Sequence, residues 1–154
     1  MNVIVIPQAL QDKLAAQATA AYPRECCGVI IGRREAGHRE TTRKTVTEIA
    51  PVDNIQPEAI RDYFEMHPKQ LSAIEDRVAK ADGLDVLGYY HSHPDHPARP
   101  SPRDLEAARD VYQFARIRYS YVILACHSGH VVDVTSSVLD EGEEEFEAEK
   151  IEAE

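Results

Sequence analysis

A chain of 154 residues is long enough for one compact domain with its own core, and 43% hydrophobic content is ordinary globular material. The formal charge of -10 argues against a nucleic-acid partner, because phosphate binding draws on clustered Lys and Arg, and no apolar run is long enough for a membrane span. Three cysteines without framework spacing argue against a disulfide-built secreted domain, and Met1 to Pro7 lacks the basic region of a signal peptide, so a cytoplasmic protein without membrane attachment is expected.

In chain order, Val3–Ile6 reads as a strand and the alanine-rich Gln8–Ala21 as a helix that stops before Pro23. Cys26–Arg33 is a predicted strand, followed by a turn near Gly37 and an antiparallel partner over Arg39–Ile49. Pro51 to Pro57 is a loop, Arg61–Met66 a short strand, Pro68–Ala81 a helix, and Leu84–Ser92 a buried strand. Pro102–Arg116 is a helix, and Tyr121–Cys126 with His130–Leu139 forms a hairpin turning at Ser128-Gly129. Strands interleaved with helices, some of them in hairpins, give an α/β domain with a mixed β-sheet flanked by helices. Nine acidic residues and one lysine fall between Asp140 and Glu154, which concentrates most of the net charge in the last segment. The domain is therefore expected over residues 1–139, with 140–154 a flexible, solvated acidic tail in which Phe146 and Ile151 could dock one face.

The chemistry concentrates after Leu84–Tyr90. Gly88-Tyr89-Tyr90-His91-Ser92-His93-Pro94 ends a strand on two histidines that alternation places on one side, and Pro94, Pro97 and Pro100 force an irregular loop. Ser101-Pro102 then opens a helix as N-cap and first residue, and Asp104 falls in its first turn. His91, His93 and Asp104 make a three-ligand set for Zn2+ that leaves a fourth tetrahedral position for water, the arrangement of a catalytic zinc site. Two other patterns overlap it. Ser101-x-x-Asp104 is also a capping box that needs no metal. His91-Ser92-His93-Pro94-Asp95-His96 matches the His-x-His-x-Asp-His of metallo-β-lactamase-type hydrolases, a coincidence in so short a chain, since it leaves Ser101 and Asp104 unexplained.

His91-x-His93, seven residues, Ser101, two residues and Asp104, with Glu25 upstream in Pro23-Arg24-Glu25-Cys26-Cys27-Gly28-Val29-Ile30-Ile31-Gly32, resembles the JAMM (MPN+) zinc metalloprotease motif. Val52-Asp53-Asn54-Ile55, Tyr63-Phe64-Glu65-Met66-His67-Pro68 and the loop His93 to Ser101 are similar to small prokaryotic members, and the resemblance spans roughly Val3 to Val138. It implies a cytidine-deaminase-like fold, with zinc on His91, His93 and Asp104, Glu25 as general acid/base, and Ser101 helping to stabilise the oxyanion. It further implies a peptide or isopeptide bond as substrate, at the C-terminal tail of a ubiquitin-like or sulfur-carrier protein ending in Gly-Gly. Arg61–Met66 is the edge expected to receive that tail by strand addition.

Beside Glu25, Cys26 and Cys27 read as small apolar core residues rather than nucleophiles. A non-catalytic scaffold of the same fold and a zinc hydrolase of a small-molecule amide or amidine are the competing classes. The intact five-residue set opposes the first, and the lack of any Cys-x-x-Cys opposes the deaminase form of the second. A homodimer is left open.

Overall fold

A computed structural model describes residues 2–35 and 43–154. The predicted turn near Gly37 and the start of the strand expected from Arg39 lie outside the described residues. Strands β1 (Val3–Val5), β2 (Cys27–Arg34), β3 (Arg43–Val52), β4 (Asp85–Pro94), β5 (Ser120–His127), β6 (His130–Leu139) and β7 (Phe146–Glu152) alternate with helices α1 (Gln8–Ala21), α2 (Pro68–Lys80) and α3 (Pro102–Ala115).

The sheet is mixed, as expected, but it is not open. Its order is β1-β3-β2-β4-β5-β6-β7, and β7 pairs in parallel with β1 to close a barrel. β2 lies antiparallel between β3 and β4, whereas β4 and β5 run parallel because α3 carries the chain back between them. That parallel pair is very close at Gly88, where a Cβ would sit 1.8 Å from the Ser120 carbonyl oxygen.

Two apolar clusters hold the helices to the sheet. α1 places Leu14 and Ala18 against Ile4, Ile6, Ile30, Val46, Leu87, Tyr90 and Leu124, all buried. α2 presents Val78, Leu71 and Ile74 to Val29, Ile31, Ala50 and Val52 on the other face of β2 and β3. Because β2 is covered on both faces, it reads as a continuous apolar run rather than an alternating one.

Two expectations are corrected. The acidic segment contains the barrel-closing strand rather than forming a solvated extension: Ile151 packs on the α1 cluster, and the rings of Phe146 and Tyr121 are 5.5 Å apart. Glu149 on β7 is buried, 3.4 Å from the Lys44 ammonium of β3, and it accepts a 2.8 Å bond from the Ser136 hydroxyl. Its charge is compensated inside the fold, so the strand's acidity does not expel it. Arg61–Met66, in turn, is no strand. Only Met66 makes an isolated bridge, to Asn54, and the Asn54 side-chain oxygen takes the N–H groups of Gln56 and Glu65 at 3.0 and 3.1 Å. Backbone pairing stops at two 2.9 Å bonds, Ile55 N–H to the Glu65 carbonyl and His67 N–H to the Asp53 carbonyl, and the Asn54 side chain takes the Glu65 N–H.

Among the described residues no helix is long and apolar enough to cross a membrane.

Candidate metal centre and active site

The site forms where β4 leaves the sheet. Strand alternation sends His91 and His93 to one face, while Ser92 points to the other and its Oγ accepts the Cys26 N–H at 2.8 Å. The His91 ring is buried beneath Phe64, with ring centroids 4.6 Å apart and nearly parallel planes. His93 Nδ1 lies 2.9 Å from the Pro97 carbonyl oxygen. A carbonyl only accepts, so the ring proton is at Nδ1 and the Nε2 lone pair is free. That Nε2 faces Nε2 of His91 at 3.1 Å. Such proximity is favourable only with a proton or a cation in the site. Burial, then the neighbouring His91, lowers the pKa of His93 and keeps its imidazole neutral, the form that ligates metal.

Ser101 starts α3. Its Oγ accepts the Asp104 N–H at 3.2 Å, and the Ser101 N–H donates to Asp104 Oδ2 at 2.7 Å, so the capping box is fully formed. The same Oδ2 lies 3.5 Å from His91 Nε2. Capping and approach to the histidines therefore coexist, because a carboxylate oxygen has more than one lone pair to give. Burial pushes the Asp104 carboxyl up, but bonds from His91 and Ser101 outweigh it and leave the pKa below its ordinary value.

Glu25 precedes β2 and reaches the site because Cys27 is in register with His91 in the β2–β4 pair. Asn54 holds its backbone, donating to the Glu25 carbonyl at 3.0 Å, and Arg24 clamps the carbonyls of Asn54 and Gln56. Burial, with the charges of Asp104 and Asp62 added, pushes the Glu25 carboxyl up to about 8. Among the described residues, Glu25, His91 and His93 bring donor atoms mutually within 4.8 Å, a metal-competent group that contains Glu25 rather than Asp104. Two imidazoles with carboxylates on either side suit Zn2+, which takes nitrogen and oxygen donors in a compact shell.

All five residues line one cavity of about 750 Å³, together with Asp62, Tyr63, Phe64, Arg99 and Arg103. Asp95 is turned elsewhere: its carboxylate accepts from Tyr22, Arg61 and the Ser128 N–H. The Tyr22 hydroxyl, the Ser128 N–H and Arg61 hold its pKa down at about 2. The overlapping His-x-His-x-Asp-His pattern thus does not assemble around the two histidines. Cys26 and Cys27 are buried free thiols, pushed by burial up to about 11 and about 12 respectively. Phe64 and Asn54 carry no local signal of their contacts, since these are with His91 and the Glu25 carbonyl, far from them in the chain.

A family model for prokaryotic homologues of the JAB domain matches residues 7–139. A probable TtuB-protein conjugate cleaving protease of Thermus thermophilus is 33% identical over 107 residues, which are 70% of this chain and 64% of that protein. A desampylase of Haloferax volcanii is 37% identical over 86 residues, 56% of this chain and 55% of its own. The chain thus spans between about half and just under two thirds of these relatives. The solution structure of a protein from Desulfitobacterium hafniense aligns over 97% of this chain and 91% of its own, with a TM-score of 0.71 and 28% identity. One from Salinibacter ruber aligns over 100% and 92%, with a TM-score of 0.65 and 31% identity. With the motif residues meeting in one cavity and the family match running nearly from end to end, the chain belongs to the prokaryotic homologues of the JAB domain, small members of the JAMM/MPN family.

Proposed function

We propose that the chain is a zinc-dependent peptidase that hydrolyses a peptide or isopeptide bond at the C-terminal tail of a ubiquitin-like or sulfur-carrier protein. The observation that carries the reading is the convergence of His91 Nε2, His93 Nε2 and the carboxylates of Asp104 and Glu25 at the end of β4. The carrier class rests on the names of the two curated relatives, and the Gly-Gly terminus on the family resemblance.

His91, His93 and Asp104 would hold the zinc. A zinc ion there supplies Lewis-acid polarisation of a carbonyl and acidifies water near neutrality. Glu25 is the proton carrier: in its ionised form the carboxylate takes a proton from the attacking water, and the carboxyl so formed delivers it to the leaving amine. Ser101 Oγ spends a lone pair on the Asp104 N–H, and its own O–H lies within reach of the Asp104 carboxylate. Turned from that carboxylate, the O–H donates to the oxygen on which negative charge develops. Phe64, stacked on His91, fixes the ring plane and keeps water off that ligand.

The test is metal analysis of the purified chain beside Asp104→Ala, followed by incubation with a Gly-Gly carrier extended at its C-terminus. Stoichiometric zinc in the wild type that is lost in the variant, with chelator-sensitive cleavage after the glycines, is the expected result. A folded wild type that takes up no zinc and leaves the carrier intact would overturn it.

A further inference from the structure

Two arginines in the cavity have no ion-pair partner among the described residues. Arg99, on the loop between β4 and α3, and Arg103, at the second position of α3, line the cavity and are exposed. Nearby Arg24 is committed to the Asn54 and Gln56 carbonyls, and Arg61 to Asp95 and the Pro23 carbonyl. Among the described residues, Arg99 and Arg103 make no ion pair and donate no side-chain hydrogen bond. Arg103 has only the ring of Tyr63, 4.2 Å from its guanidinium carbon. Stacking uses the flat face of a guanidinium and leaves its N–H edge unspent.

The cavity's acids do not fill this gap. Asp104 is bonded to the Ser101 N–H, Glu25 is buried, and Asp62 makes no ion pair among the described residues. The chain as a whole is acidic, at -10, so it repels carboxylates in general. Two uncommitted guanidinium forks beside the metal ligands reverse that repulsion at one place.

We propose that Arg99 and Arg103 form a carboxylate subsite that takes the free C-terminal carboxylate of a short leaving segment. The inference rests on the peptidase reading and narrows its substrate. Water adds to the scissile carbonyl, the C–N bond breaks, and the amine that departs belongs to an amino acid or short peptide with its own terminal carboxylate. The carrier side of the bond has no terminal carboxylate until cleavage is complete, so the subsite serves the leaving side. A lysine side chain departing from a folded target would bring no such group, and a bidentate guanidinium would have nothing to grip.

The experiment uses a peptide ending Gly-Gly-Ala, labelled at its N-terminus, as the free acid and as the C-terminal amide. Fluorescence anisotropy reads its binding to the metal-loaded Glu25→Gln chain, which holds the peptide without turning it over. The acid is expected to bind about 10- to 100-fold more tightly than the amide, the range that hydrogen bonds between charged groups span. Adding Arg99→Gln and Arg103→Gln should bring the acid down to the amide's affinity. Arg109→Gln, the same charge change at an exposed position of α3 outside the cavity lining, should leave the difference intact. Equal affinities, a difference that survives the double substitution, or no binding of either peptide would overturn the subsite. Cleavage by the wild type is scored separately: acid-selective binding with no hydrolysis of either peptide refutes the peptidase reading and leaves the subsite standing.

Discussion

Glutamine in place of Glu25 keeps the size and polarity of a residue only 4% exposed while removing its ability to ionise. Burial, reinforced by Asp104 and Asp62, lifts the Glu25 carboxyl from 4.5 to about 8. The unfolded chain releases that proton near the lower value and the folded chain only near the higher one. Across the window the folded state binds more protons, so its stability is greatest at the acid end and falls as pH rises through the folded pKa. At about 1.4 kcal/mol for each tenfold change in the ionisation equilibrium, full ionisation costs the metal-free fold about 4 to 5 kcal/mol. Glutamine carries no such cost. Urea denaturation of chelator-treated wild type and Glu25→Gln, followed from about pH 5 to about pH 9, measures the difference directly. His93 and Asp104 are present in both chains, so their titrations largely cancel in the comparison. The two stabilities should be close at the acid end, with the variant ahead by several kcal/mol at the alkaline end. Parallel curves would mean that Glu25 is solvated like a surface glutamate, and its assignment as a shielded proton carrier would fail.

Ser101→Ala removes the bond to the Asp104 N–H and should lower stability by about 1 kcal/mol while zinc content stays at the wild-type level. Steady-state kinetics should show kcat reduced at least tenfold with little change in KM; unchanged kcat would leave Ser101 as a helix cap and nothing more. Truncation after Leu139 deletes β7, uncovering the edges of β1 and β6 and leaving Lys44 buried without Glu149. An uncompensated buried charge alone costs about 3 to 5 kcal/mol, so the truncated chain should be aggregated or molten in circular dichroism and size-exclusion chromatography. A truncated chain that melts like the wild type would show the barrel closure to be dispensable.

Much of the site is readable because its determinants are short-range. His91 and His93 share a face through the pleat of a strand, and Ser101-Pro102 with Asp104 describes a helix start whichever protein contains it. Glu25 is different. It lies far from His91 in the chain and meets it only because β2 pairs with β4, so nothing local marked it out from a surface glutamate, and the family resemblance alone pointed to it. Arg61–Met66 fails as a strand for the opposite reason: it has the composition of one, yet its pairing is limited to the bridge between Met66 and Asn54, and the Asn54 side chain takes the Glu65 N–H.

The acidic end of the chain shows most plainly where sequence stops and tertiary structure begins. Most element types, the turn at Ser128-Gly129 and the spacing of His91, His93 and Asp104 follow from backbone geometry, which has the same period everywhere, and these the amino-acid order determined by itself. Glu149 at an inward position argues against a buried strand as long as its surroundings are unknown. Lys44 from β3 and Ser136 from β6 make it tolerable, and Ile151 then completes the apolar cluster under α1. Closure of the barrel was therefore decided only when distant strands came together, because a carboxylate is costly or acceptable inside a protein according to the partner it meets there.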